Sequence, residues 1–432
     1  MQSEIKFIEG GVCAAEGFTA NGVLCHIKAS RKTNDTALIY SEKPCSAAGV
    51  FTQNRVKAES VKLTKKNIAN GKIQAVIANS GNANCCTGEQ GAKVAYHMAE
   101  LAAKVTGVNP DDVVVCSTGV IGAQLPVEKI EEHIEELAKG LSKEGHVEAR
   151  AAIMTTDTQY KECAVEFTLG GKKCRMGAMC KGSGMIHINL GTMLAFTTTD
   201  AAISPKMIEK ALRESVKGTY NCVSVDGDTS TNDTLVLLAN GMAGNKEITE
   251  EGEDYNTFLE ALNKLNRVMA MKIAADGEGA TRLIECNVKG AKTVEIARGL
   301  AKEIIGSNLV KAAMFGKDAN WGRILCAMGY SGLEFTPETT CVYFSSKNGA
   351  KRYFDTLTAD QVEIAGCDKC GGKIEVFHNG VPLNFDEEKA KKILSEEAVE
   401  ILVECADGTA NGTAWGCDLT YDYVKINGDY RT

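Results

Sequence analysis

Apolar residues recur at three- and four-residue spacing in several stretches, and that period predicts helices. Over Gly88–Val108 the stripe is Val94, Met98, Leu101, Ala102 and Val105. Pro126–Leu141 opens on a proline suited to a first turn, then carries Val127, Ile130, Ile134, Leu137 and Leu141. Pro205–Lys217, Tyr255–Ile273, Thr293–Ile305 and Glu387–Val403 keep the same period, the last two with mixed charges on a solvated face. Short apolar or β-branched runs predict strands at Ala37–Tyr40, Gly49–Thr52, Ile73–Ala78, Val113–Cys116 and Ala164–Leu169. Others fall at Leu194–Thr198, Leu235–Ala239, Leu309–Phe315 and Val342–Ser345. Helices and strands interleave without a regular strand–helix–strand beat, so a doubly wound parallel sheet is not expected. The pattern predicts an α/β fold of stacked β-sheets flanked by helices.

Length and composition narrow the class. A chain of 432 residues is expected to form two or three structural units. With 44% hydrophobic and 24% charged residues it can bury a large core, which excludes a disordered chain. No repeat, low-complexity segment or proline- or serine-rich linker divides it. The net charge of −8 offers no footprint for a phosphate backbone, so no nucleic-acid partner is expected. Met1–Gly10 lacks the basic start and apolar core of a targeting segment, and no apolar run nears the roughly 20 residues a membrane span needs. The 17 cysteines are odd in number and scattered, which reads as buried, reduced thiols of a cytoplasmic enzyme.

Several motifs could carry chemistry, and most have a plainer reading. Cys367-Asp368-Lys369-Cys370 suggests zinc or redox chemistry, but no second such pair exists and the only nearby histidine is His378. No metal is expected there, and Cys85-Cys86 reads as packing. The six histidines show no HxxxH pair and no sequence support for a triad. Gly277-Glu278-Gly279-Ala280-Thr281 follows a predicted helix, the reverse of a strand–glycine loop–helix phosphate cradle. Asp226-Gly227-Asp228-Thr229-Ser230-Thr231-Asn232-Asp233 is rich in oxygen donors, yet Leu237 stands where a calcium loop needs glutamate. A turn held by side chain-to-backbone bonds fits it better. The stretch Cys180–Asp200 (CKGSGMIHINLGTMLAFTTTD) is more informative. A glycine-rich polar loop reaches Gly191-Thr192 and runs straight into an apolar strand. A small residue, then a hydroxyl residue, then a buried strand is the arrangement of self-cleaving proteins with an N-terminal nucleophile. Cleavage would free an α-amine on Thr192, whose reference pKa of about 7.7–8.0 suits it to act as base for its own hydroxyl.

These segments occur together, in one order along the chain. Asn79-Ser80-Gly81-Asn82-Ala83-Asn84, Ser117-Thr118-Gly119-Val120-Ile121-Gly122, Met154-Thr155-Thr156-Asp157-Thr158 and Lys181-Gly182-Ser183-Gly184-Met185-Ile186 come first. Thr192-Met193-Leu194-Ala195-Phe196, the Asp226–Asp233 segment, Asp318-Ala319-Asn320-Trp321-Gly322-Arg323 and the final Tyr430-Arg431-Thr432 follow. In this order, across nearly the whole chain, they resemble the ornithine acetyltransferase (glutamate N-acetyltransferase) family of arginine biosynthesis. The resemblance implies a self-processing acyltransferase with an N-terminal-nucleophile-like fold that moves acetyl from N-acetylornithine to glutamate. Some members also make N-acetylglutamate from acetyl-CoA. It implies Thr192 as nucleophile, cleavage between Gly191 and Thr192, and Thr118 with Gly119 as oxyanion donors. Substrate would be held by Thr155, Lys181, Thr192, Glu278, Asn427 and Thr432. The products would be an α chain, Met1–Gly191, and a β chain, Thr192–Thr432, assembled as a heterotetramer without cofactor or metal.

The sequence departs from the family at Ile188-Asn189-Leu190-Gly191, where Pro-Asn-Met-Ala is usual; glycine still permits strained backbone, but a rigid φ is lost. Thr432 stands where serine is common and keeps the hydroxyl. The alternative within enzymes is a related N-terminal-nucleophile aminopeptidase that passes its acyl group to water. Outside enzymes of this kind stand a protein built on Cys367 and Cys370 and a non-catalytic small-molecule binder.

Overall fold

The computed structural model describes residues 4–187, 193–346 and 372–429. Gly191, Thr192, Thr432 and the Cys367–Cys370 pair lie outside these residues. The chain divides into two compact units. One comprises Met1–Gly182, Asn189–Lys217 and Thr229–Met269; the other comprises Ser183–Ile188, Gly218–Asp228 and Ala270–Thr432. Both mix sheet and helix, as the apolar pattern predicts.

The strands of the first part of the chain are β1 (Lys6–Ile8), β2 (Phe18–Val23), β3 (Thr36–Phe51), β4 (Lys72–Asn82), β5 (Val113–Val120), β6 (Lys161–Leu169) and β7 (Lys172–Lys181). There follow β8 (Ile186–His187), β9 (Leu194–Thr199), β10 (Ser224–Thr229) and β11 (Thr234–Ala239). In the first unit nine of them form one sheet in the order β1-β6-β7-β9-β11-β3-β4-β5, with β2 paired to β3. The helices are α1 (Glu59–Asn67), α2 (Gly88–Thr106), α3 (Val127–Lys139), α4 (His146–Ala152), α5 (Pro205–Lys217) and α6 (Glu253–Ala275), the last running into the second unit. Both faces of β4 and β5 are covered. Ala75, Ile77, Val113 and Val115 pack with Val94, Met98 and Leu101 of α2 and Ile130, Ile134 and Leu137 of α3. Val76, Ala78, Val114 and Cys116 face the opposite core with Ala149 and Ala152 of α4. Burial on both faces is why these strands read as unbroken apolar runs rather than alternating ones. The two expected strands at Ala37–Tyr40 and Gly49–Thr52 are the ends of β3, whose pairing with β4 shifts register between Tyr40 and Cys45.

The second unit holds β12 (Leu283–Ala291), β13 (Cys341–Ser346), β14 (Lys373–His378), β15 (Val381–Pro382), β16 (Ala398–Glu404) and β17 (Ala410–Cys417), ordered β15-β14-β13-β16-β12-β17. Its further helices are α7 (Val294–Gly306), α8 (Asn308–Gly316), α9 (Trp321–Tyr330), α10 (Glu387–Ile393) and α11 (Tyr421–Gly428). Gly412 of β17 lets α7 approach closely: a Cβ there would stand 2.4 Å from the Arg298 backbone nitrogen. The buried Trp415 indole donates to Glu285 Oε2 at 2.9 Å.

Two expectations are corrected here. Leu309–Phe315 is helical, not a strand. The Ser307 side chain caps its start by accepting from the Val310 amide, Ala312 and Ala313 favour helix, and Lys317 closes it at φ 58°. Glu387–Val403 is not one helix. Asp386 caps a short helix that ends near Leu394. The β-branched run after it becomes β16, paired with β12 on one side and β13 on the other.

Candidate functional site

In the first unit the parallel strands β4 and β5 end together, Ser80 beside Thr118 and Gly81 beside Gly119. Gly119 sits at φ 134°, and a Cβ there would fall 2.3 Å from the Gly81 carbonyl carbon. Only glycine fits this approach, which explains the Thr-Gly pair at a strand end. The turn is braced from several directions. Asn82 Nδ2 donates to the carbonyls of Ala123 and Gln124, at 3.2 and 3.1 Å. Ser80 Oγ donates to the Ala152 carbonyl at 2.7 Å. Asn232 Nδ2 donates to the Ala83 and Ser117 carbonyls, at 2.6 and 2.7 Å.

Lys181 closes β7 and is buried, and its Nζ donates to Thr118 Oγ1 at 3.4 Å. Its ladder partner on β9 is Leu194, the third residue of the stretch that Thr192 opens. A lysine buried this far needs a counter-charge, and Asp157 supplies it. The Asp157 carboxylate accepts from Lys161 Nζ at 2.7 Å, from the Gly182 amide at 2.7 Å and from the Thr155 amide at 3.1 Å. Burial opposes its charge, but Lys161 and Lys181 outweigh that and hold the carboxyl well below the usual range. Thr155, Lys181 and Thr118 are thus joined through one network, with Asp157 between them. Asp233 behaves oppositely: it is wholly buried, and desolvation drives its pKa well above the ordinary value despite Lys181 nearby. Its Oδ2 has no hydrogen-bond partner among the described residues.

In the second unit Glu278 lies after α6, in the loop leading to β12. Its amide donates to the Ser183 carbonyl at 2.9 Å, and Asn427 Nδ2 donates to its Oε2 at 2.7 Å. A Cβ on Gly184 would stand 2.3 Å from the Glu278 carboxyl carbon, so the glycine admits that carboxylate. Asn427 belongs to α11, which is seated by Thr420 Oγ1 donating to the Gly279 carbonyl at 2.7 Å. Asp226 accepts from the amides of Met185 and Ile186, at 2.6 and 2.8 Å, and from the Asp228 amide. The first half of the oxygen-rich segment, Asp226–Thr229, is thus the end of β10 rather than the expected turn; only Ser230–Asp233 is irregular, and both parts carry side chain-to-backbone bonds such as Asn232 N–H to Ser230 Oγ. Burial and the charge of Lys302 push His187 down to about 4, so it is neutral at pH 7 where it meets Ser224 Oγ at 3.0 Å.

Of the residues expected in the site, the structure brings Thr118, Gly119, Lys181 and Thr155 together in the first unit, and Glu278 with Asn427 in the second. Sequence reading missed Asp157 as the hub, although it stands inside a quoted motif four residues before Lys161. It also missed the bracing by Asn232 and Asp226, whose partners lie far away in sequence.

Together the two motif clusters and the mixed α/β architecture have the character of an acyl-transfer enzyme. Residues 19–432 match the family model described as "ArgJ family". The arginine biosynthesis bifunctional protein ArgJ of Caldanaerobacter subterraneus subsp. tengcongensis is 48% identical over 428 residues, covering 99% of this chain and 100% of that one. ArgJ 1 of Clostridium acetobutylicum is 50% identical, covering 96% of each. Among solved structures, the ornithine acetyltransferase of Mycobacterium tuberculosis complexed with ornithine is 37% identical, covers 43% of this chain and 99% of that chain, and has a TM-score of 0.40. The chain belongs to the ArgJ family, the acyltransferases of arginine biosynthesis.

Proposed function

We propose that the chain moves acetyl from N-acetylornithine to glutamate through an acetyl-Thr192 intermediate, after cutting itself between Gly191 and Thr192. The amide of N-acetylornithine is unreactive, so attack needs an activated hydroxyl and donors for the developing oxyanion. The freed α-amine of Thr192 takes the hydroxyl proton as Oγ attacks the acetyl carbonyl. The Thr118 hydroxyl and the Gly119 N–H receive the oxyanion; one such donor lowers the barrier by ~2.7–4 kcal/mol. The C–N bond breaks, the proton passes to the leaving amine, and ornithine departs. Glutamate's amine then attacks the acetyl ester and restores Thr192. Lys181 holds the α-carboxylate that both amino acids carry, with Thr155 beside it. Glu278 and Asn427 favour the cationic side chain of ornithine, and Thr432 contributes its hydroxyl. Acetyl-CoA would serve as a second acetyl donor to glutamate, in keeping with the bifunctional names of the relatives. We place the enzyme in the cytoplasm, as two α chains and two β chains.

The observation that carries this reading is the Lys181–Thr118 contact between the ends of β7 and β5, with Asp157 as the counter-charge of the buried lysine and β7 paired directly to β9. Family membership favours transfer to glutamate over the aminopeptidase alternative. The test is the intact mass of the denatured protein before and after N-acetylornithine. Two polypeptides meeting at Gly191/Thr192, with one acetyl on the Thr192 chain that glutamate removes as N-acetylglutamate, are expected. A single chain that never gains acetyl would overturn the mechanism, and acetate release without N-acetylglutamate would restore the peptidase reading.

A further inference from the structure

Apart from the chemistry above, the second unit contains a separate group of side chains with the composition of a metal site. Cys341 opens β13, and Glu375 and His378 lie on β14, whose antiparallel pairing with β13 brings them together. One ligand atom from each lies within 4.8 Å of the others, the single such group among the described residues. Cys341 Sγ is 3.6 Å from His378 Nδ1. A tetrahedral ion with metal–sulfur and metal–nitrogen bonds of about 2.3 and 2.05 Å would set these atoms about 3.5 Å apart. Glu375 Oε1 now accepts from His378 Nδ1 at 2.7 Å and would have to open to about 3.4 Å to admit an ion. The Glu375 side chain is 31% exposed and can move; the His378 side chain is 52% exposed, leaving a solvent face for water as fourth ligand.

The backbone under these ligands is fixed. His378 leads into Asn379-Gly380, which stand at φ 45° and 80°, the two left-handed residues of a tight hairpin into β15. A Cβ on Gly380 would stand 2.9 Å from the Glu338 Cα, so the turn is pressed against its neighbour. Asn379 touches both other polar ends: its Oδ1 accepts from Cys341 Sγ at 3.5 Å, and its Nδ2 meets His378 Nε2 at 3.1 Å. In that state Nε2 accepts and Nδ1 carries the proton. Metal binding would remove the thiol proton and move the imidazole proton from Nδ1 to Nε2. A half-turn of the Asn379 amide then gives Nδ2 to the thiolate and Oδ1 to Nε2–H. One side chain thus satisfies the outer shell before and after binding.

We propose that Cys341, Glu375 and His378 bind one Zn²⁺ ion, with Asn379 orienting the sulfur and imidazole. The mixed sulfur, nitrogen and oxygen set selects a borderline-soft divalent ion over Mg²⁺ or Ca²⁺.

The test uses the full chain stripped with chelator, then titrated with Zn²⁺ against a chromophoric chelator and, separately, with Co²⁺ for its thiolate charge-transfer absorption. One Zn²⁺ per chain is expected. Cys341→Ser and His378→Ala each weaken it at least tenfold, and Cys341→Ser abolishes the cobalt band. Cys367→Ser/Cys370→Ser binds as the unaltered chain does. His378→Ala is exposed and keeps acetyl transfer, so its loss of zinc cannot be misfolding. Unchanged affinity in either single variant, loss in the double variant, or no zinc at micromolar free metal overturns the assignment.

Discussion

Lys181 and Asp157 show how the site depends on single charges. Lys181→Met removes the cation proposed to hold the substrate carboxylate; truncating a buried charge partner costs about 2–5 kcal/mol. At least thirtyfold in kcat/KM, carried mainly by KM, is expected in steady-state assays on folded protein. Asp157→Asn removes the carboxylate that faces buried Lys161 and Lys181, and breaking such a group costs about 3–5 kcal/mol. Chemical denaturation should register that loss. Because the folded carboxyl is held below its unfolded value near ~3.9, Asp157 stabilises the fold above that pH. That contribution is lost as pH falls below it, so the unaltered protein and Asp157→Asn should converge in stability under strong acid. Gly119→Ala puts a Cβ against the Gly81 backbone at positive φ, a strain of about 1–3 kcal/mol. It should lower the denaturation midpoint and slow self-cleavage, both read by intact mass and circular dichroism.

Among the elements, those with a clean period were legible and those specified by caps or partners were not. The stripes of α2 and α5 and the apolar runs of β4, β5 and β11 lie where the pattern put them. Val310, Ala313 and Met314 look equally good on a short buried strand, and only the Ser307 cap and the αL Lys317 decide for α8. Ser307→Ala should therefore cost about 1 kcal/mol in thermal or chemical unfolding. In the same way Val399–Val403 reads as a helix continuation until β12 and β13 are there to flank it. Lys172–Lys181 has no strand signature because Lys172, Lys173 and Arg175 crowd its exposed end while Met176–Lys181 is buried throughout, so no two-residue alternation runs along it. The site was legible as motifs, Thr118-Gly119 and Lys181-Gly182 above all. The residues that hold the motifs in place, Asp157, Asn232 and Asp226, act across gaps that no local pattern encodes. The approach of Cys341 to His378, 3.6 Å between Sγ and Nδ1, joins residues 37 positions apart and has no local signature.

At the scale of the whole chain, the sheet order matters most. β9 and β11, both beyond Thr192, sit in the middle of the first unit, with β7 on one side and β3 on the other. A cut at Gly191/Thr192 would leave two fragments sewn together by ladders on both sides. They are expected to co-elute in native chromatography and to part only in denaturant; separation under native conditions would contradict this pairing. The same order has a consequence for biosynthesis. A ribosome delivers β3 to β7 well before β9 and β11 exist. Until Thr199 has emerged, the nascent sheet carries two open edges, Ser46–Phe51 on one side of the gap and Met176–Lys181 on the other, and the first stays open until Ala239 follows. Unpaired edges of this kind recruit other chains. A half-made molecule is thus at its stickiest through the middle of translation, and a gene truncated after codon 191 should yield inclusion bodies rather than a soluble fragment.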